Sequence, residues 1–195
     1  MLEDWAMMYR LGAAFAGALA LAGGAFAQCD TGRLETLAFL SGDWNLYEQT
    51  GIYGGQSYYV LDADACEIIE VRPGDAEDTS QRALFLDPET GSWRETYNPD
   101  FFHYDLSGDV TPDGALLLTG WSESGEEDSV REELRARWAP LPDGRFAYVL
   151  QARMPGRWDW DILSAYTYVP RGRDPNGETP APDAQGPALG SEWFE

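Results

Sequence analysis

Side chains that could carry out metal or nucleophilic chemistry are scarce in this chain. It has one histidine, His103, and two cysteines, so a metal site with two histidine ligands cannot form within one copy. The segment GWSES at residues 120–124 lacks the second glycine of a serine-hydrolase elbow. There is no glycine-rich phosphate loop. The sequence therefore predicts no metal, no cofactor and no identifiable catalytic residue.

One acidic segment, Ser122–Asp128, contains the oxygen ligands that calcium prefers. It lacks the alternating Asp/Asn spacing of a calcium loop. We interpret it as a solvated hairpin tip rather than as a cation site.

Charged and aromatic residues are the better candidates for binding a ligand. In the segment CEIIEVR, alternation places Glu70 on the same face as Cys66 and Ile68. A buried carboxylate must be paired, and Arg82 or Arg94 on nearby strands are the expected partners. Such a pair would orient the polar head of a ligand. Two further candidates are His103, which a structural role would also explain, and Trp121.

These residues need a framework of strands to position them. Ten short segments rich in aromatic and β-branched residues follow residue 42, and turn tetrads such as PETG, TPDG and LPDG separate several of them. The segment 129–139 also contains good helix formers, but its alternation favours a strand. Because ten antiparallel strands leave two edges unless the sheet closes, we predict an all-β, up-and-down barrel of about ten strands, preceded by a short helix at 31–40.

The entry to this barrel carries a Gly-x-Trp motif. Gly42 permits a tight bend, and Trp44 supplies a large surface to close one barrel end. With FLSGDW, the segments CEIIEV, FLDPETGSWRETY and LSGDVTPDGALLLTG resemble the DUF1579-like group of uncharacterised bacterial secreted proteins, from about Phe39 to Val169. The part of the chain that resembles this group most specifically is Asp87–Trp93, a hairpin in which Trp93 lies just beyond the turn glycine. The resemblance implies a lipocalin-like barrel of unassigned activity.

The first 27 residues read as a secretory signal. An uncharged Ala/Leu/Gly run follows Arg10 and ends in an AFA motif, which predicts cleavage between Ala27 and Gln28. The mature chain would then be periplasmic or secreted, with no membrane span. In an oxidising compartment Cys29 and Cys66 are expected to form a disulfide.

The remaining expectations concern partners and domains. The net charge of −21 disfavours nucleic acid and anionic membranes. We expect a barrel domain over residues 28–170 and a disordered, Pro/Gly-rich acidic tail over 171–195. The leading hypothesis is a binding protein for a small, partly apolar molecule. An isomerase- or hydrolase-type enzyme that uses barrel carboxylates and an interaction scaffold with a packed barrel remain alternatives.

Overall fold

The chain folds into one closed antiparallel barrel, which confirms the predicted fold class. A computed structural model describes Cys29 and residues 31–73, 82–97, 102–124 and 131–194. Each strand pairs with the next in the sequence, and the last strand pairs with the first to close the barrel. The strands are β1 (Gly42–Glu48), β2 (Tyr53–Asp62), β3 (Glu67–Val71), β4 (Arg82–Leu86), β5 (Trp93–Tyr97), β6 (Phe102–Val110), β7 (Leu116–Ser124), β8 (Glu133–Pro140), β9 (Phe146–Arg153) and β10 (Asp161–Pro170).

Period-two alternation sorts the side chains between the barrel interior and its outer surface. In β8, Leu134, Ala136 and Trp138 are fully buried, while Arg135 and Arg137 between them are half-buried on the outside. A helix would scatter these residues around its circumference, so this segment is a strand because only the alternation buries its apolar side chains together.

One end of the barrel is capped by the segment that precedes β1. Helix α1 (Thr31–Glu35) and a 3₁₀ turn at Ala38–Leu40 place Leu34, Leu37 and Leu40 in the main core. The indole Nε1 of Trp44 donates a hydrogen bond of 2.9 Å to the Leu40 carbonyl oxygen. Trp44 is buried among these leucines, as the Gly-x-Trp motif predicts.

Two sequence features hold the cap in place. Gly42 has a φ of 136°, a conformation that a side chain would strain, so glycine permits the bend into β1. The predicted disulfide between Cys29 and Cys66 is present and ties the start of the cap to the β2–β3 turn. The cap is therefore attached to the barrel at both of its ends.

The C-terminal segment, for which the sequence predicts disorder, follows a defined path along the outside of the barrel. We call residues 171–194 the strap. Its Asp174 carboxylate accepts hydrogen bonds from Asn45 Nδ2 at 2.7 Å and from the Tyr47 hydroxyl at 2.6 Å, and all three groups are buried. The composition predicts disorder because a segment rich in Pro and Gly cannot build a core of its own. The segment is ordered instead because it packs against the outside of the barrel.

The strap covers apolar residues on the outer face of the sheet. Leu189 packs with Ala147, Val149 and Ala165, and the strap's Trp193 and Phe194 pack against the same cluster. The Gly186 and Leu189 amides donate to the Gly51 and Gln49 carbonyls at 2.8 and 3.2 Å. The strap is thus an outer layer over β1, β9 and β10.

No helix among the described residues is long and apolar enough to cross a membrane. The predicted signal at residues 1–27 and its cleavage position lie outside the described residues. The acidic segment Ser122–Asp128 is described only as far as Ser124.

Candidate functional site

The end of the barrel opposite the cap carries its interior charged residues. The cap lies where β1 begins, so the opposite end is formed where β3 and β5 end and β4 and β6 begin. Register pairs Arg82 with Tyr97, and Tyr97 with Tyr104, across these strands. We call this end the mouth.

Two buried carboxylates and one buried arginine lie just inside the mouth. Nη1 of Arg82 donates to Glu70 Oε2 at 3.1 Å, and its Nε lies 3.2 Å from Glu95 Oε1 without the alignment of a hydrogen bond. The side chains of Glu70 and Glu95 are 4% and 0% exposed, and that of Arg82 is 11% exposed. Arg82 therefore bridges two acids inside the barrel.

Hydroxyl and indole groups satisfy the remaining carboxylate oxygens. Glu95 accepts hydrogen bonds from Tyr104 at 2.8 Å, from Tyr148 at 3.2 Å and from Trp138 Nε1 at 2.8 Å. Glu70 accepts a bond of 3.3 Å from Tyr168. Because ionised carboxylates need donors when they leave water, this set of donors keeps both acids in the interior at a tolerable free-energy cost.

The electrostatics of the network keep Glu70 ionised and its tyrosine neighbours neutral. Burial by itself would raise the pKa of Glu70, but the charges of Arg82 and then Arg72 outweigh it and hold that pKa below its ordinary value. Burial, and then the Glu70 charge, raise the pKa of Tyr168 and of Tyr59. The tyrosines therefore act as hydrogen-bond donors at neutral pH.

Aromatic rings fill the barrel between this network and the cap. Phe146 stacks on Tyr168 with ring centroids 4.1 Å apart, and Trp138 lies 4.1 Å from Tyr148. All four rings and Trp93 are fully buried. The Trp93 indole Nε1 has no hydrogen-bond partner within the described part of the chain. This lower layer is a packed core, one of the two outcomes open to a barrel of this size.

The mouth itself has a rim of partly exposed groups. The Arg72 side chain is 35% exposed and donates from Nε to Glu70 Oε1 at 3.1 Å. Its guanidinium lies 5.5 Å from the centre of the Tyr166 ring, and that of Arg82 lies 5.9 Å from the Tyr97 ring. Tyr97 and Tyr166 are half-buried. The partly exposed Arg72, the buried Arg82 and two phenol rings thus lie together at this end of the barrel.

The structure divides the predicted site residues into two groups. Glu70 and Arg82 lie together in the interior, as expected. Arg94, His103 and Trp121 project outward instead. Successive residues of a strand point to opposite faces, and each of these three directly adjoins an inward position: Glu95, Tyr104 and Gly120 respectively. Arg94 pairs with Asp105 on the surface and so is not a partner of Glu70.

The three outward residues line one shallow groove on the outer face of β5–β8. It encloses about 940 Å³, and Asp105, Arg131 and Glu133 also contribute to its walls. Trp121 is 41% exposed there, with the Arg131 guanidinium 5.4 Å from its ring centre. Polar and charged side chains make up most of this groove, and it also reaches Tyr97 and Tyr104 of the mouth.

Sequence reasoning missed Glu95, Arg72 and the tyrosines of the network. A signal for Glu95 existed, since WRETY places it between Trp93 and Tyr97 on one strand face. The tyrosines have no such local signal, because their donor role depends on pairing across the barrel. Among the described residues, no three His, Cys, Asp or Glu side chains are grouped as ligands for a metal ion.

Comparison with known families and with curated proteins yields no match for this chain.

Proposed function

We propose that this chain is an exported lipocalin-like protein, of the DUF1579-like kind, that binds a small, partly apolar molecule at the mouth of the barrel. The observation that carries the proposal is the Arg72 guanidinium at the rim. It is the most exposed charge of an otherwise buried network, and only its Nε has an acceptor within the described residues. Its two terminal nitrogens have no acceptor among residues 31–73, 82–97, 102–124 and 131–194, and we propose that they bind the ligand.

The rim favours a ligand with a planar apolar body and an acidic head. Tyr97 and Tyr166 present rings on which such a body stacks, and arginine pairs with carboxylates through two parallel hydrogen bonds. Below the rim, packed rings fill the barrel, so the charged network forms the bottom of the site. The ligand is therefore held at the opening and does not penetrate to the cap.

The geometry favours binding over acid–base catalysis by Glu70. A general base works best when its pKa lies near the working pH. Arginine charges move the pKa of Glu70 in the opposite direction, and both of its oxygens are engaged by protein donors. Glu70 is thus suited to positioning Arg72 and Arg82.

Two observations support export. The Cys29–Cys66 disulfide is typical of proteins from oxidising compartments. The apolar run that ends in AFA at Ala27 is separated from Cys29 only by Gln28. N-terminal sequencing of the mature protein should give Gln28 as the first residue, and a retained leader would contradict the export part of the proposal.

Calorimetric titration with 1-naphthylacetate tests the binding part. This probe combines two fused rings with one carboxylate, and 2-(1-naphthyl)ethanol is its uncharged analogue. We expect saturable binding of the acid, weaker binding of the alcohol, and about a tenfold loss for Arg72→Gln, since a hydrogen bond to a charged group contributes about 1.5–3 kcal/mol.

The control variant is Arg157→Gln, which removes an exposed arginine that pairs with Asp159 outside the barrel. It should bind like the wild type. Absence of binding to the wild type, or equal affinities for wild type and Arg72→Gln, would contradict a site at the mouth and would favour the scaffold with a packed barrel.

A further inference from the structure

A second cavity lies on the outside of the barrel, between the strap and the sheet. It encloses about 660 Å³ and lies on the opposite side of the barrel wall from the ring-filled interior. The sheet contributes Val169, Pro170 and the β8–β9 turn, and the strap contributes two short stretches near residues 173–175 and 185–187. The cavity exists only because the strap is docked.

Two arginines in this cavity approach the same turn. Nε of Arg145 donates to the Pro142 carbonyl oxygen at 3.4 Å. Nη1 of Arg173 lies 3.3 Å from the position that a Cβ on Gly144 would occupy. Arg145 and Arg173 therefore both reach the turn Pro142–Gly144 and line the same cavity, although they lie 28 residues apart in the sequence (173 minus 145).

These two arginines differ from most others in how their charge is balanced. Acidic residues outnumber basic residues by 34 to 13, and seven described arginines form ion pairs: Arg33, Arg72, Arg82, Arg94, Arg137, Arg153 and Arg157. Within the described part of the chain, neither Arg145 nor Arg173 has an ion-pair partner. Arg135 and Arg171 also form no ion pair with a described residue, but only Arg145 and Arg173 line this cavity. Two arginines on one cavity that have no described carboxylate partner indicate a site for an external anion.

The other walls define what kind of anion fits. Pro170, Pro175, Pro187 and Val169 present apolar surface, which suits an apolar body. Asp143 also lines the cavity, so two positive charges and one negative charge leave a net charge of about +1. That balance favours a monoanion over a doubly charged phosphate.

From this geometry we propose that the cavity between strap and barrel is a binding site for an amphipathic monocarboxylate, held by Arg145 and Arg173. The carboxylate lies between the two guanidinium groups at the β8–β9 turn, and the apolar body lies against the prolines. Since both the strap and the barrel contact the ligand, binding also stabilises the docked strap. This site is independent of the mouth.

Octanoate is the probe for this site, with octanol and inorganic phosphate as comparisons. Backbone amide NMR shifts of the full mature chain should change saturably with octanoate at Arg145, Arg173 and Gly186, which line the cavity. Octanol and phosphate should each bind at least about tenfold more weakly, because octanol lacks the carboxylate and phosphate lacks the apolar body.

Variants separate this site from the mouth. Arg173→Gln and Arg145→Gln should each weaken octanoate binding about tenfold, while Asp143→Asn should strengthen it several-fold by removing the opposing charge. Arg157→Gln should have no effect. Unchanged affinity in both Arg173→Gln and Arg145→Gln would overturn the proposal, as would the absence of saturable shifts in the wild type.

The mouth variant Arg72→Gln distinguishes failure here from failure of the proposed function. It should leave octanoate binding at the strap unchanged. Loss of octanoate binding in Arg72→Gln, with shifts at the barrel mouth, would mean that the acid binds there and would overturn the strap site alone.

Discussion

At the scale of single residues, Arg82 has the largest role, because it is the only cation within 4 Å of both buried carboxylates among the described residues. Its guanidinium also lies 4.2 Å from the centre of the Tyr148 ring. An ion pair of this kind adds little net stability over an apolar replacement of the whole set, but removal of one partner leaves buried charge uncompensated.

Arg82→Met should therefore destabilise the fold strongly. We expect a loss of about 3–5 kcal/mol in the free energy of unfolding at pH 7, measured by urea denaturation. The matched control is Arg94→Met, which removes a surface pair with Asp105 and should lose less than about 1 kcal/mol. Equal effects of the two substitutions would contradict the interior position of Arg82.

The pKa of Glu70 makes a prediction for acid. Its folded-state pKa is below its ordinary value of 4.5, so its contribution to stability is complete above that pH and is lost as pH falls through the folded-state pKa. The difference in unfolding free energy between wild type and Glu70→Gln should therefore shrink as pH falls from about 5 to 3.

Urea denaturation at several pH values measures this difference. Glu192→Gln, which changes an exposed acid on the strap, should stay parallel to the wild type throughout. A wild-type advantage over Glu70→Gln that grows on acidification would contradict the assigned direction of the shift.

At this scale, the sequence shows which face of a strand a side chain takes, but it does not show which residues of other strands lie beside it. Glu70 and Arg82 could be predicted because alternation within one strand fixes which face a side chain takes. Arg94 and His103 are predicted as site residues too, but each directly adjoins an inward residue, so alternation puts both on the outer face. The phenol donors around Glu95 come from β6 and β9, and no local pattern in β5 indicates them.

At the scale of elements, the strap is the main departure from expectation. The ten strands could be predicted because each carries its own alternation and turn signals. The strap has neither, and its order depends on specific contacts such as the buried Asp174 carboxylate with Asn45 and Tyr47. Burial and the hydrogen bond to Asp174 raise the pKa of Tyr47 to about 12, so it remains a donor at neutral pH.

Asp174→Ala should loosen the strap without unfolding the barrel. It leaves Asn45 and Tyr47 short of an acceptor, which destabilises docking by about 1–3 kcal/mol. Amide hydrogen exchange should accelerate at Gly186 and Leu189, whose N–H groups bond to residues Gly51 and Gln49.

The interior strands should keep their protection from exchange in this variant. Asp183→Ala, at an exposed position of the same strap, should leave all rates unchanged. Fast exchange at Gly186 and Leu189 in the wild type would show that the strap is not docked in solution.

The disulfide makes a separate prediction for the cap. Cys29 and Cys66 are 37 residues apart. A disulfide that closes a loop of this length is expected to stabilise the fold by about 4 kcal/mol, because it lowers the conformational entropy of the unfolded chain. Cys29→Ser should lower the guanidinium midpoint accordingly, and reducing agent should lower the wild-type midpoint to the same value. Insensitivity of the wild type to reductant would contradict a tethering role.

At the scale of the whole molecule, the barrel separates three environments. The cap end and lower barrel are a packed aromatic core, the mouth has the partly exposed Arg72 and the buried Arg82 beside phenol rings, and the strap covers one outer face. The high negative charge of the chain disfavours anionic polymers as partners. At the mouth, Arg72 and Arg82 are paired with Glu70 and Glu95. The barrel architecture could be predicted from the sequence, whereas the end of the barrel that holds the charged network could not, because it depends on which end the cap occupies.

The most direct test of a binding site at the mouth is to map 1-naphthylacetate onto the protein by NMR. We predict saturable shifts that cluster at Arg72 and Tyr166, which do not line the outer groove, and that are lost in Arg72→Gln. Shifts that cluster instead on the outer groove at Arg94, His103 and Trp121, or no saturable shifts at any residue, would contradict the account.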